Sequence, residues 1–126
     1  MKKIVFILLI LVSCSTHKQK LTLAEEKPVR ITNNELEYEL IILDVGFNNF
    51  LNTIAKPRGF YGLTRLENRN RYFVSIYNNR VSNSLQFGNT YGPHIYYQNH
   101  ISYGYEVNYL LYNYFLFFQK KYKQKL

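Results

Sequence analysis

At 126 residues the chain has room for one domain and no more. Sixteen Lys and Arg against eight Asp and Glu give a formal net charge of +8, and one cysteine excludes a disulfide framework within the chain. All 13 tyrosines and eight of the nine phenylalanines lie between Tyr38 and Tyr122, so an uncrosslinked core has to be built largely from rings.

The first stretch is not part of that core. Lys2 and Lys3 precede an uninterrupted apolar run from Ile4 to Val12, followed by Ser13 and Cys14, which is the charged, apolar and small-residue order of a secretory signal peptide. The run is too short to remain as a transmembrane helix. Leu11-Val12-Ser13-Cys14 resembles the lipobox of bacterial lipoproteins, whose cysteine is acylated and becomes the first residue of the mature protein. The expectation is therefore a signal peptide over 1–13, a palmitate-bearing Cys14, and a bilayer as the first partner. An ordinary cleaved signal with an incidental cysteine is the alternative. Loss of Lys2 and Lys3 lowers the formal charge from +8 to +6. The remaining excess gathers at Lys18 and Lys20 and in the tail Lys120, Lys121, Lys123 and Lys125, a pattern attracted to anionic lipid or simply solvated.

From Cys14 to residue 33 polar residues and Pro28 show no sustained period, as expected of an extended tether. No acidic cluster follows the cysteine, so the expected address is the cell envelope, at the outer membrane and facing the periplasm. The domain is expected over 34–126. Leu36, Tyr38, Leu40 and Ile42 alternate with glutamates, then Ile41 and Leu43 make the second face apolar as well: a strand half-exposed at its start and buried on both sides at its end. Its partner is either His94 to Tyr97 or Val29 to Ile31, the latter turning through Asn33-Asn34.

Asp44 can cap a first helix near Phe47 to Ala55, in which Phe47, Phe50, Leu51 and Ile54 share a face, and Pro57 ends it. Leu63 to Val81 admits two readings, because Tyr72 to Tyr77 is rich in strand formers while Leu63, Leu66, Phe73, Val74, Tyr77 and Val81 form a helical stripe. Thr64 to Glu67 has the spacing of a capping box, which favours a long helix. The last helix, near Gly104 to Tyr122, carries large side chains in every direction until Gln119, so the rest of the domain must wrap it. Its uncharged run, Val107 to Phe118, is about 18 Å long at about 1.5 Å per residue, too short to cross about 30 Å of hydrocarbon. The hydroxyls of Tyr109, Tyr112 and Tyr114 would need partners, which Asn and Arg side chains of neighbouring helices are expected to supply.

The fold expected is a small α+β domain, with about three helices packed around the aromatic C-terminal helix and one short two-stranded β element. The lipobox, Leu43 to Phe47, Lys56 to Tyr61, Leu66 to Arg71 and Tyr103 to Phe118 together resemble a family of small bacterial lipoproteins known only as a domain of unknown function. The resemblance implies an envelope lipoprotein with a compact domain and brings no activity, ligand or catalytic residue.

Chemistry is hard to find. His94 and His100 stand six apart with few carboxylates nearby, a poor metal-ligand set, and Ser75, Ser82, Ser84 and Ser102 lack the glycine-flanked turn that presents a nucleophile. Asp44, Glu67 and Glu106 are better explained by pairing with Arg58, Arg69 or Arg71 than as an acid and base. No catalytic residue, metal or cofactor is expected, and export argues against nucleic acid despite the basic and aromatic composition. Two roles survive: an interaction or structural protein of the envelope with a protein partner, or a ligand-binding module for cell-wall glycan using tyrosine platforms. A cleft lined by several rings with Asn or Arg would favour the second, and a flat apolar patch the first.

Overall fold

A computed structural model describes residues 27–126, so the segment read as a signal peptide, Cys14 and most of the segment read as a tether lie outside the described residues. The chain runs β1 (Val29–Asn33), β2 (Tyr38–Ile42), α1 (Phe47–Thr53), α2 (Leu63–Ser82), the single turn α3 (Ser84–Phe87) and α4 (Tyr105–Lys121). It is an α+β fold wrapped around α4, as expected. Eleven of the 17 residues of α4 are buried, Leu111 and Phe115 completely. Burial this complete is possible because α2, β1 and α1 pack around it.

The ambiguous middle segment is helical. Leu66, Asn70, Phe73, Val74 and Tyr77 recur at helical spacing on one face of α2 and meet α4 there, and Phe73 and Tyr77 set their rings 5.4 and 5.9 Å from Phe115. The strand-forming composition of Tyr72 to Tyr77 loses because a strand would turn Tyr77 and Val74 to opposite faces, and both are needed on α4. The helix starts without the expected box: Gly62 is the N-cap and no side chain caps it, while Glu67 turns forward to Arg71 at 3.4 Å.

The partner of β2 is β1, in antiparallel register from Val29 opposite Ile42 to Asn33 opposite Tyr38. The structured domain therefore starts earlier than residue 34, inside the stretch read as tether. The signal was one residue, Ile31, which is completely buried against the core. The turn spans residues 34–37, with Glu37 at φ 51° and its N–H donating to the Asn34 carbonyl at 3.3 Å. Asn33 ties the hairpin to the start of α4 by donating from Nδ2 to the Tyr103 carbonyl at 2.8 Å. The expectation that β2 ends buried on both faces is corrected: Ile41 is 42% and Leu43 76% exposed. A two-stranded sheet has only one face against the core, so the alternate residues are left outside.

His94 to Tyr97 forms no strand. Ile95 is instead held by a side chain, accepting and donating through Asn78 at 2.7 and 2.8 Å, which meets its backbone groups without a ladder. Ile54, expected on the buried stripe of α1, is 50% exposed because the helix ends at Thr53. At the start of α4, Gly104 adopts φ 86° and ψ 174°, a conformation that is essentially restricted to glycine.

One buried feature was not anticipated. Asn70 and Asn108 are completely buried and face each other across α2 and α4. Asn70 Nδ2 donates to the Asn108 carbonyl at 2.9 Å and to its Oδ1 at 3.0 Å, Tyr97 Oη donates to that Oδ1 at 2.7 Å, and Asn108 Nδ2 donates to the Gly104 carbonyl at 2.8 Å. The network ties the two helices and the Tyr97 loop in register, since its amides and hydroxyl are closed to water, although Asn70 Oδ1 has no partner among the described residues.

Candidate functional site

Asp44 follows β2 and does not cap α1 with its side chain. The N-cap of α1 is Gly46, and only the Asp44 carbonyl reaches the helix, accepting from Phe47 N–H at 3.4 Å. Its carboxylate instead turns inward onto the last turns of α4. There Tyr114 donates to Oδ2 at 2.7 Å, Tyr122 donates to Oδ1 at 2.6 Å, and Lys121 Nζ stands 3.7 Å from Oδ1. Tyr77 lies beside them and accepts the Gly92 N–H at 2.9 Å. Burial, then donation to Asp44, pushes the Tyr114 hydroxyl far above the ordinary tyrosine range and Tyr122 up to about 12. Both hydroxyls therefore keep their protons at neutral pH and stay donors.

This cluster floors a cleft of about 340 Å³. Leu40 to Asp44 form one wall, Asn89, Thr90, Gly92 and Pro93 with Ile95 form the other, and Tyr77, Tyr114, Phe118 and Tyr122 close the bottom. The wall made by β2 is a free strand edge: among the described residues its ladder hydrogen bonds run to β1 and nothing pairs with its other side. Unmet amides and carbonyls in an apolar cleft with a fixed anion at one end can receive an extended chain or an N–H donor.

A second, more open hollow of about 760 Å³ lies along the N-terminal turns of α2, lined by Gly62, Thr64, Arg65, Asn68, Arg69 and Tyr112. Arg65 lies 4.8 Å over the Tyr61 ring and Arg69 4.6 Å over Phe73. The three carboxylates singled out in the sequence are far apart in role. Glu106 takes a bidentate bond from Arg58 at 2.7 and 2.5 Å, Glu67 pairs with Arg71, and Asp44 is held by tyrosines rather than by an arginine. Nothing brings two of them together as an acid and base.

His94 and His100 are both exposed, and the His94 ring lies 3.1 Å from Ser82 Oγ. Among the described residues no three His, Cys, Asp or Glu gather in a way that could hold a metal ion, and no helix is long and apolar enough to cross a membrane. Tyrosines have mostly gone inward: only Tyr72 and Tyr96 are more than half exposed. The hydroxyls of α4 found partners other than those expected, since Tyr109 donates to the Lys56 carbonyl at 2.7 Å and Tyr114 to Asp44. Arg58, Arg65 and Arg69 stack on rings, while Arg80 donates to the Tyr91 hydroxyl at 2.6 Å.

Buried phenols make alkaline stability a direct readout of this arrangement. Burial, then the Glu67 charge, pushes Tyr97 up to about 12, and Tyr38, Tyr77 and Tyr112 are raised chiefly by burial. A raised folded pKa means that the folded state holds the proton more tightly than the unfolded chain, where tyrosine titrates near 10. The stabilisation is complete below about pH 10 and is lost as pH climbs from there through about 12. Tyrosinate absorbance is expected to appear cooperatively, in step with loss of helical circular dichroism. Full ionisation near pH 10 with the helices intact would contradict the burial described.

The fold and cleft thus define a small α+β domain built on an aromatic helix, with an open strand edge. The chain belongs to the Family of unknown function (DUF6146), which it matches over residues 3–126. No curated protein and no solved structure matches it.

Proposed function

We propose that the protein is a lipid-anchored lipoprotein of the cell envelope whose domain is an interaction module. Its cleft over Asp44 takes an extended segment of an envelope protein partner. The observation that carries the reading is the unpaired edge of β2 forming one wall of that cleft. Natural proteins normally cover or blunt such an edge, and an added strand satisfies its amides while the neighbouring hollow takes alternate side chains. The cleft is roomy enough for side chains of a strand and too small for a folded element. The anchor rests on the lipobox-like sequence ending in Cys14, the sole cysteine and hence the sole thiol acceptor.

The anchor is tested by labelling. Cells expressing the chain are expected to incorporate radiolabelled palmitate into it, and Cys14→Ser is expected to abolish the label while the domain melts unchanged. Persistent label in the serine chain would remove the anchor from the reading.

The cleft is tested by placing a photocrosslinking residue at Ile41 or Asn89, both exposed and lining it, or at Tyr72 on α2 outside it. The two cleft positions should give an adduct of the same partner, absent at Tyr72 and lost when Thr90→Trp fills the hollow. An adduct formed only from Tyr72 would refute the placement. A glycan-binding role has one observation in its favour, the Arg65, Asn68, Arg69 and Tyr112 hollow. Retention on cell-wall glycan that Arg69→Ala abolishes would support that role over the protein partner.

A further inference from the structure

Val45, 61% exposed, follows β2, and Ile54, 50% exposed, lines a shallow groove with Gly46, Phe50 and Phe117. Lys120 and Lys121 line the same groove, and Lys121 donates to the Val45 carbonyl at 3.0 Å. Lys123 and Lys125 follow, both exposed. Val45, Ile54 and Phe117 thus lie with Lys120 and Lys121 at the C-terminal end of α4.

The chain enters the domain at this same place. Val29 pairs with Ile42, and the Lys27 carbonyl accepts from Asn48 Nδ2 at 2.8 Å at the start of α1, next to Asn49 of the groove. Twelve residues separate Cys14 from Lys27, which at about 3.4 Å each hold the domain within roughly 40 Å of an anchored cysteine. The opposite end of α4 differs: Arg58 there is tied to Glu106 and stacked on Tyr109.

Resting on the anchored reading above, we infer that Val45, Ile54, Lys120 and Lys121 form a bilayer-docking face that takes a membrane surface carrying anionic phospholipid. Apolar side chains enter the headgroup boundary, lysines pair with phosphates around them, and the tether emerging beside the groove fixes which side of the domain faces the bilayer. The anchor raises the local concentration of bilayer, so a weak contact suffices to set orientation.

The chain lacks tryptophan, which supplies a reporter. Full-length Val45→Trp, with Ile54→Trp as a second reporter and Phe60→Trp as the control from the α1 to α2 loop, is purified from bacterial membranes. Each is reconstituted into phosphatidylcholine vesicles with or without phosphatidylglycerol, carrying brominated acyl chains as quencher. The Val45→Trp emission should shift to the blue and be quenched severalfold more than Phe60→Trp in the anionic vesicles. Lys120→Glu, or high salt, should reverse the difference. A chain that co-sediments with the vesicles but quenches equally at both positions overturns the docking face and leaves the anchor standing. One that stays in solution overturns both. Quenching that is equal with and without phosphatidylglycerol overturns the assignment of anionic lipid.

Discussion

Phe115→Ala is expected to destabilise the domain by about 3 to 5 kcal/mol, the largest effect of any single truncation in α4. Phe115 has no exposure, and its ring packs against Phe73, Tyr77 and Tyr114 at 5.4, 5.9 and 6.0 Å, so α2 and α4 meet through it. Three surrounding rings are too rigid to collapse into the space left, and the cavity adds to the lost transfer energy. In a domain of this size the melting temperature should fall by more than about 10 °C, enough to unfold a protein of ordinary stability at growth temperature. Thermal denaturation followed by circular dichroism measures it. A change of a degree or two would mean that α4 is peripheral.

Asn108→Leu is the second. The side chains are similar in volume, so packing is largely kept, but the Asn70 amide and the Tyr97 hydroxyl lose their common acceptor in a region closed to water. Each orphaned group costs about 1 to 3 kcal/mol, giving roughly 2 to 5 kcal/mol in all, softened because Asn70 keeps the Asn108 carbonyl. Adding Tyr97→Phe removes one orphan, so the double variant should be more stable than the sum of the two single changes. Strict additivity in denaturant titrations would show that the network is not coupled.

Where sequence reasoning succeeded, the signal was side-chain volume repeated at a period. Rings from Tyr105 to Phe118 leave α4 no solvated direction, and the helical stripe of Leu66, Phe73, Val74 and Tyr77 is the surface that meets it. Where it failed, the deciding contact was distant in sequence. Ile31 is one apolar residue in a polar stretch, and only the packing of β1 on α4 makes it core. Asn70 and Asn108 read as polar positions on two helices 38 residues apart, and neither has a local reason to be buried.

Asp44 shows the same division most plainly. Its sequence position next to a helix suggests a cap, and a cap is a local bond that spacing alone can propose. Its actual donors, Tyr114 and Tyr122, lie 70 and 78 residues away and reach it only because the hairpin folds back onto the end of α4. The sequence by itself determined that α4 must be enclosed and favoured helices near Phe47 and over Leu63 to Val81, since those follow from periodicity and from the cost of exposing rings to water, while it left Val29 to Ile31 and His94 to Tyr97 as rival strands. Tertiary structure alone decided that Asp44 closes a cleft, that the outer edge of β2 stays open beside it, and that Val45 and Ile54 lie with Lys120 and Lys121 at the end of α4. Each of these depends on which surfaces the core left over once α4 was covered, and no local pattern records what a distant segment leaves bare.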